Sequence, residues 1–316
     1  MRGGGRSVVT FADAAEAWLR HGERQRNLKR SSVRDYRQAL DAYVLPSASQ
    51  TDGATRFGRT PFADTPLDAL TPEALKAWHE ALPYGRTAEK LLMIVRAVLE
   101  HARRQDWIAD NPARAVERRP VRYSGDYDFF SREEINALAD AAASEQDAAI
   151  YVAAAMTGLR RGELVALRWR DVDFAGHALR VRSNYSYGEL VTPKSGKVRT
   201  VPMVPEVAER LGRLREREHF SHDEDPVFVG LAGGHLDASA LRRRYTVALT
   251  RARLRPLPFH SLRHHFGSMA VNRASLVQVQ SWMGHSHIQT TARYLHAKSQ
   301  ADDAALLAAA FGPRSG

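Results

Sequence analysis

The stretch from His260 to Tyr294, HSLRHHFGSMAVNRASLVQVQSWMGHSHIQTTARY, constrains this chain more than any other. Helical spacing from Ser261 onward sets His260 and Arg263, three positions apart, on one side, with His260 at or just before the first turn. Gly284-His285 ends the next helical segment, and Tyr294 follows about two helical turns later. Any fold that holds this stretch gathers guanidinium, imidazole and phenol groups in a short span. That set suits phosphate chemistry: guanidinium forks bind non-bridging oxygens, imidazoles move protons, and a tyrosine hydroxyl can act as nucleophile. Upstream, T-G-L-R-R-G-E-L at 157–164 adds an arginine that opens a helix after a glycine turn.

At 316 residues the chain exceeds the usual single-domain size, and two domains are expected. Its formal charge of +10 favours a polyanionic partner, which on its own leaves nucleic acid and an anionic membrane surface both open. No apolar run reaches the roughly 18 residues of a spanning helix, and the N-terminus MRGGGRSVVT has no apolar signal core. A soluble, cytoplasmic protein with no membrane partner is expected. The absence of cysteine excludes disulfides, thiolate catalysis and thiolate zinc sites.

Residues 1–9 read as a flexible basic leader and 10–115 as a helical domain. Phe11, Ala14, Ala15, Trp18 and Leu19 form one apolar stripe; Val33, Tyr36, Leu40 and Tyr43 form another. Arg30, Arg34 and Arg37 lie along the second, and their density can grip phosphates or simply make a solvated face. From Pro46 to Pro66 the composition is that of a loop. Thr71-Pro72-Glu73 restarts a helix with Thr71 as N-cap. From Arg86 to Gln105 the pattern is helical, with Leu91, Ile94, Val95, Val98, Leu99 and Ala102 inward, Arg96 off that stripe, and Asn111-Pro112 as the stop. The basic, proline-bearing segment 116–128 reads as a linker, and 129–316 as a second domain opened by the capping box Ser131 to Glu134. Helices are expected at about 131–143 and 147–157. Period-two patterns at 178–182, 188–192 and 198–202 predict one small antiparallel sheet with 193–197 as a turn. From Pro205 on the chain reads as helical except near 226–235 and 255–258. The expected fold class is mainly α with a small antiparallel β-sheet (α+β).

Three segments together, T-G-L-R-R-G-E-L at 157–164, H-x-L-R-H at 260–264 and M-G-H-S-H-I-Q-T-T-A-R-Y-L-H at 283–296, resemble a tyrosine recombinase of the phage-integrase or Xer-like type. The match spans most of 126–300 and is weaker over 8–115. The resemblance implies a helical core-binding domain that clamps DNA, followed by a catalytic domain. It implies site-specific cutting and rejoining of double-stranded DNA through a 3′-phosphotyrosyl intermediate and a Holliday junction, by a homo-tetramer on two DNA sites. By the same resemblance Tyr294 is the nucleophile, Arg160 and Arg263 hold the non-bridging oxygens, and His285 donates a further hydrogen bond. Lys194 protonates the leaving 5′ oxygen, His260 assists proton removal from Tyr294, and Glu163 orients an arginine. Arg30, Arg34, Arg37 and Arg96 are the DNA-binding candidates. No cofactor and no metal are required by this scheme, and no P-loop pattern is present.

Alternatives stay open at this stage. Lys197 competes with Lys194 as the acid, and His287 with His285. His264 and His265 read as helix-packing and supporting residues rather than a zinc site. The alanine-rich segment 302–311 reads as a helix that docks on its own domain or on a neighbouring protomer. A DNA-binding protein that no longer cuts, and a type IB topoisomerase-like strand relaxer, are the rival functions.

Overall fold

The stripes read from the sequence become helices in the computed structural model, which describes residues 8–24, 28–45, 62–83, 85–120, 128–192, 196–230 and 233–297. Most of the leader, residues 46–61, part of the basic linker, Lys194 and the 302–311 segment lie outside these residues. The chain divides into two units, Met1–Tyr123 and Ser124–Gly316.

In the first unit, α1 (Phe11–Arg24), α2 (Arg30–Tyr43), α3 (Pro72–Ala81) and α4 (Arg86–Arg104) share one core. All six stripe residues of α4, from Leu91 to Ala102, are at most 1 % exposed. Burying each such aliphatic side chain contributes about 1.5–3 kcal/mol, so α4 is the axis of the unit. Phe62 sets its ring edge-on to Phe11 (4.8 Å) and Trp78 (5.4 Å). Thr71 caps α3, its Oγ accepting from the Ala74 N–H at 3.2 Å. Helix α4 stops earlier than Asn111-Pro112, because Asp106 adopts the left-handed conformation (φ 56°) just past its end. Asn111 instead accepts from the Ala113 N–H at 3.1 Å and donates to the Arg96 carbonyl at 3.0 Å. Arg96 is turned to a structural use: its guanidinium donates to the carbonyls of Ala113 (3.0 Å) and Val116. Arg37 makes a two-pronged pair with Glu16, while Arg30 and Arg34 are exposed.

The second unit is built around α6 (Glu145–Thr157), which is apolar on every side and buried from Asp147 to Thr157. A helix without a polar face needs neighbours all round. These are α5 (Arg132–Asp140), α7 (Arg161–Ala166), α8 (Pro205–Arg215), α9 (Ala238–Arg251) and α10 (His260–Ala270). The Ser131 capping box opens α5 as the sequence predicts. After α10 come α11 (Leu276–Met283), α12 (Ile288–Ala292) and a 3₁₀ turn, Arg293–Ala297, that carries Tyr294.

The strands depart from the expected single sheet. β1 (Val172–Asp173), β2 (Ala178–Val181) and β5 (Arg199–Pro202) form an antiparallel sheet in the order β1-β2-β5, with Leu179 opposite Val201 in the core. β3 (Asn184–Ser186) and β4 (Glu189–Val191) pair only with each other. Tyr187 (φ 53°) and Gly188 (φ 84°) are both left-handed, which closes a tight two-residue hairpin. No residue of that ribbon is buried, so nothing apolar draws it onto the three-stranded sheet. The expected helix beyond α8 also fails over 216–225. There the Arg217 guanidinium donates to the carbonyls of Phe220, Pro226 and Val227, and the Trp169 indole donates to Phe220 at 2.8 Å. These side chains satisfy the carbonyls that a helix would otherwise pair. Among the described residues, no helix is long and apolar enough to cross a membrane.

Candidate active site

Two left-handed glycines end the helices that frame the site. Gly158 (φ 64°) closes α6, and a Cβ there would lie 2.4 Å from the Phe266 ring; Gly284 (φ 62°) closes α11. The turn after Gly158 makes Arg160 the N-cap of α7 and Glu163 its third residue. The Glu163 carboxylate therefore reaches back, accepting from the Arg160 N–H at 2.8 Å and from its guanidinium at 2.9 Å. Arg199, on β5, clamps the same carboxylate fork to fork at 3.0 and 2.7 Å and donates from Nε to the Trp282 carbonyl at 2.7 Å.

Arg263, 2 % exposed, rises from the first turn of α10. It donates to the carbonyls of Gly158 and Met283 and, at 2.8 Å, to His285 Nε2. Since a guanidinium only donates, that imidazole is protonated at Nδ1, which donates to Thr291 Oγ1 at 2.9 Å. Arg160 completes the frame by donating to the Gly284 carbonyl at 3.1 Å. Its side chain is 24 % exposed and so open to solvent. His287, in contrast to His285, is exposed at the start of α12.

Tyr294 is 4 % exposed and packs with Val271, Val279 and Met283. Its ring lies nearly parallel to His285 at 6.4 Å, and its hydroxyl meets His264 Nδ1 at 2.9 Å. His264 in turn meets His260 edge to face, with ring centroids 4.9 Å apart. His265 is buried and bonded to the Phe130 carbonyl at 2.6 Å, a packing use. The sequence-predicted Arg160, Glu163, His260, Arg263, His285 and Tyr294 thus fall in one neighbourhood; Lys194 lies outside the described residues. Sequence reasoning did not find Arg199, nor the contact of His264 with the phenol. Arg199 had a usable signal: it shares the inward phase of its strand with Val201.

The electrostatics of the site favour an anion. Burial pushes the Glu163 carboxyl up, but the hydrogen bonds and charges of Arg199 and Arg160 outweigh it and hold it below its ordinary value. One carboxylate thereby faces the guanidinia of Arg160, Arg199 and Arg263. Burial, then the neighbouring Arg160, lowers the Arg263 guanidinium to about 9. Burial followed by Arg263 lowers His264 to about 4, and burial with Arg263 and Arg160 lowers His285 to about 3. His260 is lowered to about 4 by burial, then His264 and Arg263, although it keeps an exposed edge that dilutes the effect. Among the described residues no cluster of three or more histidines or acids is placed to hold a metal ion.

Neutral imidazoles make stability depend on pH. The unfolded chain protonates its histidines near about 6.5, whereas the folded site resists protonation. The stabilisation is complete above that value and falls as the pH drops toward 4, the unfolded state taking up the extra protons. His264 and His285 each contribute at most about 1.4 kcal/mol per pH unit over that window. Urea midpoints measured at pH 7.5 and pH 5 are expected to fall with pH; equal midpoints would contradict the neutral assignment.

Gly267 gives the phenol its slot. A Cβ there would stand 2.6–2.7 Å from three atoms of the Tyr294 ring, closer than real contacts allow. Gly267→Ala is expected to force Tyr294 outward at a cost of about 1–3 kcal/mol. Nitration mapped by peptide mass spectrometry reads this directly, as a rise in modification at Tyr294; unchanged modification would refute it.

Residues 128–301 match the phage integrase family. The putative prophage phiRv2 integrase of Mycobacterium tuberculosis is 29 % identical over 313 residues, covering 94 % of this chain and 77 % of that protein. A tyrosine recombinase XerC of Xanthomonas axonopodis is 26 % identical over 291 residues, covering 90 % and 92 %. Among solved structures, the Tn1549 transposon integrase in complex with a circular intermediate DNA superposes with TM-score 0.70 at 19 % identity, covering 96 % of this chain and 99 % of that one. A lambda integrase tetramer bound to a Holliday junction gives 0.68 at 18 % identity, covering 92 % and 78 %. At such identities the structural likeness establishes the mainly helical fold, while the family match covers more than half of the sequence. The chain therefore belongs to the phage integrase family.

Proposed function

We propose that this protein is a site-specific recombinase that cuts and rejoins double-stranded DNA through a tyrosine-linked intermediate. The observation that carries the reading is the convergence of two arginines, two histidines and a tyrosine, from the N-cap of α7, from α10, from the turn after α11 and from the last 3₁₀ turn, around one excess of positive charge. A phosphodiester is the anion that such a set can both hold and attack.

In this reading Arg160 and Arg263 bind the non-bridging oxygens and stabilise the charge that grows on them in the transition state. Glu163 and Arg199 hold Arg160 in position. His285, fixed by Arg263 and Thr291, stands beside the nucleophile. The Tyr294 oxygen attacks phosphorus, forming a 3′-phosphotyrosyl ester as the 5′ oxygen leaves. Lys194 is assigned the proton for that oxygen, by family resemblance. The ester retains the bond's free energy, so a second 5′-hydroxyl can reverse the step without nucleotide or metal. The first unit serves as the core-binding domain and the second as the catalytic domain, with 116–128 joining them. The lambda integrase tetramer on a Holliday junction supports the same assembly here, a homo-tetramer exchanging strands between two sites.

The test is incubation with nicked duplexes drawn from the DNA flanking the gene. A denaturation-resistant adduct, mapped by mass spectrometry to the Tyr294 peptide, is the expected result. An adduct on another residue, or none with any flanking duplex, would overturn the assignment.

A further inference from the structure

His264 is the imidazole that touches the phenol oxygen. Its Nδ1 lies 2.9 Å from Tyr294 Oη, and the two rings are 5.8 Å apart. The other imidazoles near the site are differently engaged. His285 spends Nε2 on Arg263 and Nδ1 on Thr291, and His265 gives Nδ1 to the Phe130 carbonyl. His260 meets His264 ring edge to ring face, one helical turn away. Family resemblance gives the proton-removing role to His260; the contacts give it to its neighbour.

We propose that His264 is a catalytic residue, the base that takes the Tyr294 proton, with His260 placed to modulate it. The proposal rests on the recombinase reading above. As the Tyr294 oxygen bonds to phosphorus, its proton passes to His264 Nδ1. The bond from phosphorus to the 5′ oxygen breaks, and that oxygen takes a proton from the acid of the site. In the rejoining step His264 returns its proton to the phenol oxygen as the ester opens.

Two features fit this use. For the phenol to donate, His264 must be the Nε2–H tautomer with an open Nδ1 lone pair. Burial and the adjacent Arg263 cation keep the ring unprotonated at neutral pH, so it can accept; His260 and Tyr294 are the other titratable groups against it. A bound phosphodiester would offset the Arg263 charge and make the imidazole more basic when DNA is present.

The experiment measures single-turnover adduct formation on nicked duplexes with either an oxygen or a sulfur at the bridging 5′ position. A sulfur leaving group needs no acid, so it isolates the step at the nucleophile. Asparagine places an amide where Nδ1 stood, keeping a hydrogen bond without a base. His264→Asn is expected to lower the rate about 100-fold or more with both leaving groups. Its rate should also keep climbing at alkaline pH where the wild type levels off, with DNA affinity unchanged. A rate within threefold of wild type, or full rescue by sulfur, would overturn the proposal. Should the variant not fold, ¹⁵N-histidine NMR of the wild type decides: an Nδ1–H tautomer at His264 overturns it and an Nε2–H tautomer supports it. Absence of any wild-type adduct would remove the recombinase reading and this inference together, whereas an adduct insensitive to His264 would remove this inference alone.

Discussion

Arg263→Ala is expected to lower adduct formation by about 100- to 1,000-fold and to destabilise the second unit by about 2–5 kcal/mol. The first effect follows from deleting a pre-positioned donor at the oxygens where charge develops. The second follows from burial: the carbonyls of Gly158 and Met283 lose their donor inside the protein, at about 1–3 kcal/mol each. An opposing contribution exists, because Arg160 crowds this cation and helps to lower its affinity for a proton. Relief of that repulsion is smaller than the loss of two buried hydrogen bonds, so the sign stands. Arg263→Lys keeps a charge without the fork and should recover less than a tenth of the lost rate. Urea unfolding and single-turnover trapping measure both effects; an alanine variant within tenfold of wild type would remove Arg263 from the cradle.

Glu163→Ala acts on the same site from the opposite charge. Glu163 is 2 % exposed and is shared by Arg160 and Arg199, so its removal strands a buried guanidinium. Breaking one side of a buried ion pair costs about 3–5 kcal/mol, more than the pair itself stabilises, since the remaining charge stays desolvated. Glu163→Gln keeps the shape and should lose less. Adduct formation should fall in both, because Arg160 loses the group that aims it. Below its ordinary value near 4.5 the wild-type carboxyl starts to protonate only once its lowered folded pKa is approached. That component of stability, present above the unfolded value and lost as pH falls through the folded one, should be missing in Glu163→Gln. A loss under about 1 kcal/mol in Glu163→Ala would show that the guanidinia find other partners.

Local signals were legible where one residue type does one job. The Thr71 cap, the Ser131 box and the α4 stripe follow from hydrogen-bonding and period alone. Arg160, His260, Arg263, His285 and Tyr294 could be named together because three spaced motifs resemble those of tyrosine recombinases; spacing alone grouped only the residues from 260 to 294. What escaped depends on distant partners. Period two marks strands at 178–182, 188–192 and 198–202 but says nothing about which pairs with which; the two left-handed residues at 187 and 188 decide that. The run 216–225 lacks helix because the Arg217 side chain and the distant Trp169 indole both donate to the Phe220 carbonyl. His264 reads as a packing residue until the chain returns 30 positions later and sets a hydroxyl against it.

Beside their side-chain contacts with His285 and Glu163, Arg263 and Arg160 are moored to the peptide oxygens of Gly158, Met283 and Gly284. No point substitution can delete a peptide oxygen. The cutting chemistry is thereby insulated from drift in the surrounding surface, and retargeting such a protein to a new DNA address by randomising exposed positions leaves these moorings intact. The glycines at 158 and 284, which turn the main chain at those points, are where such a campaign should not trespass.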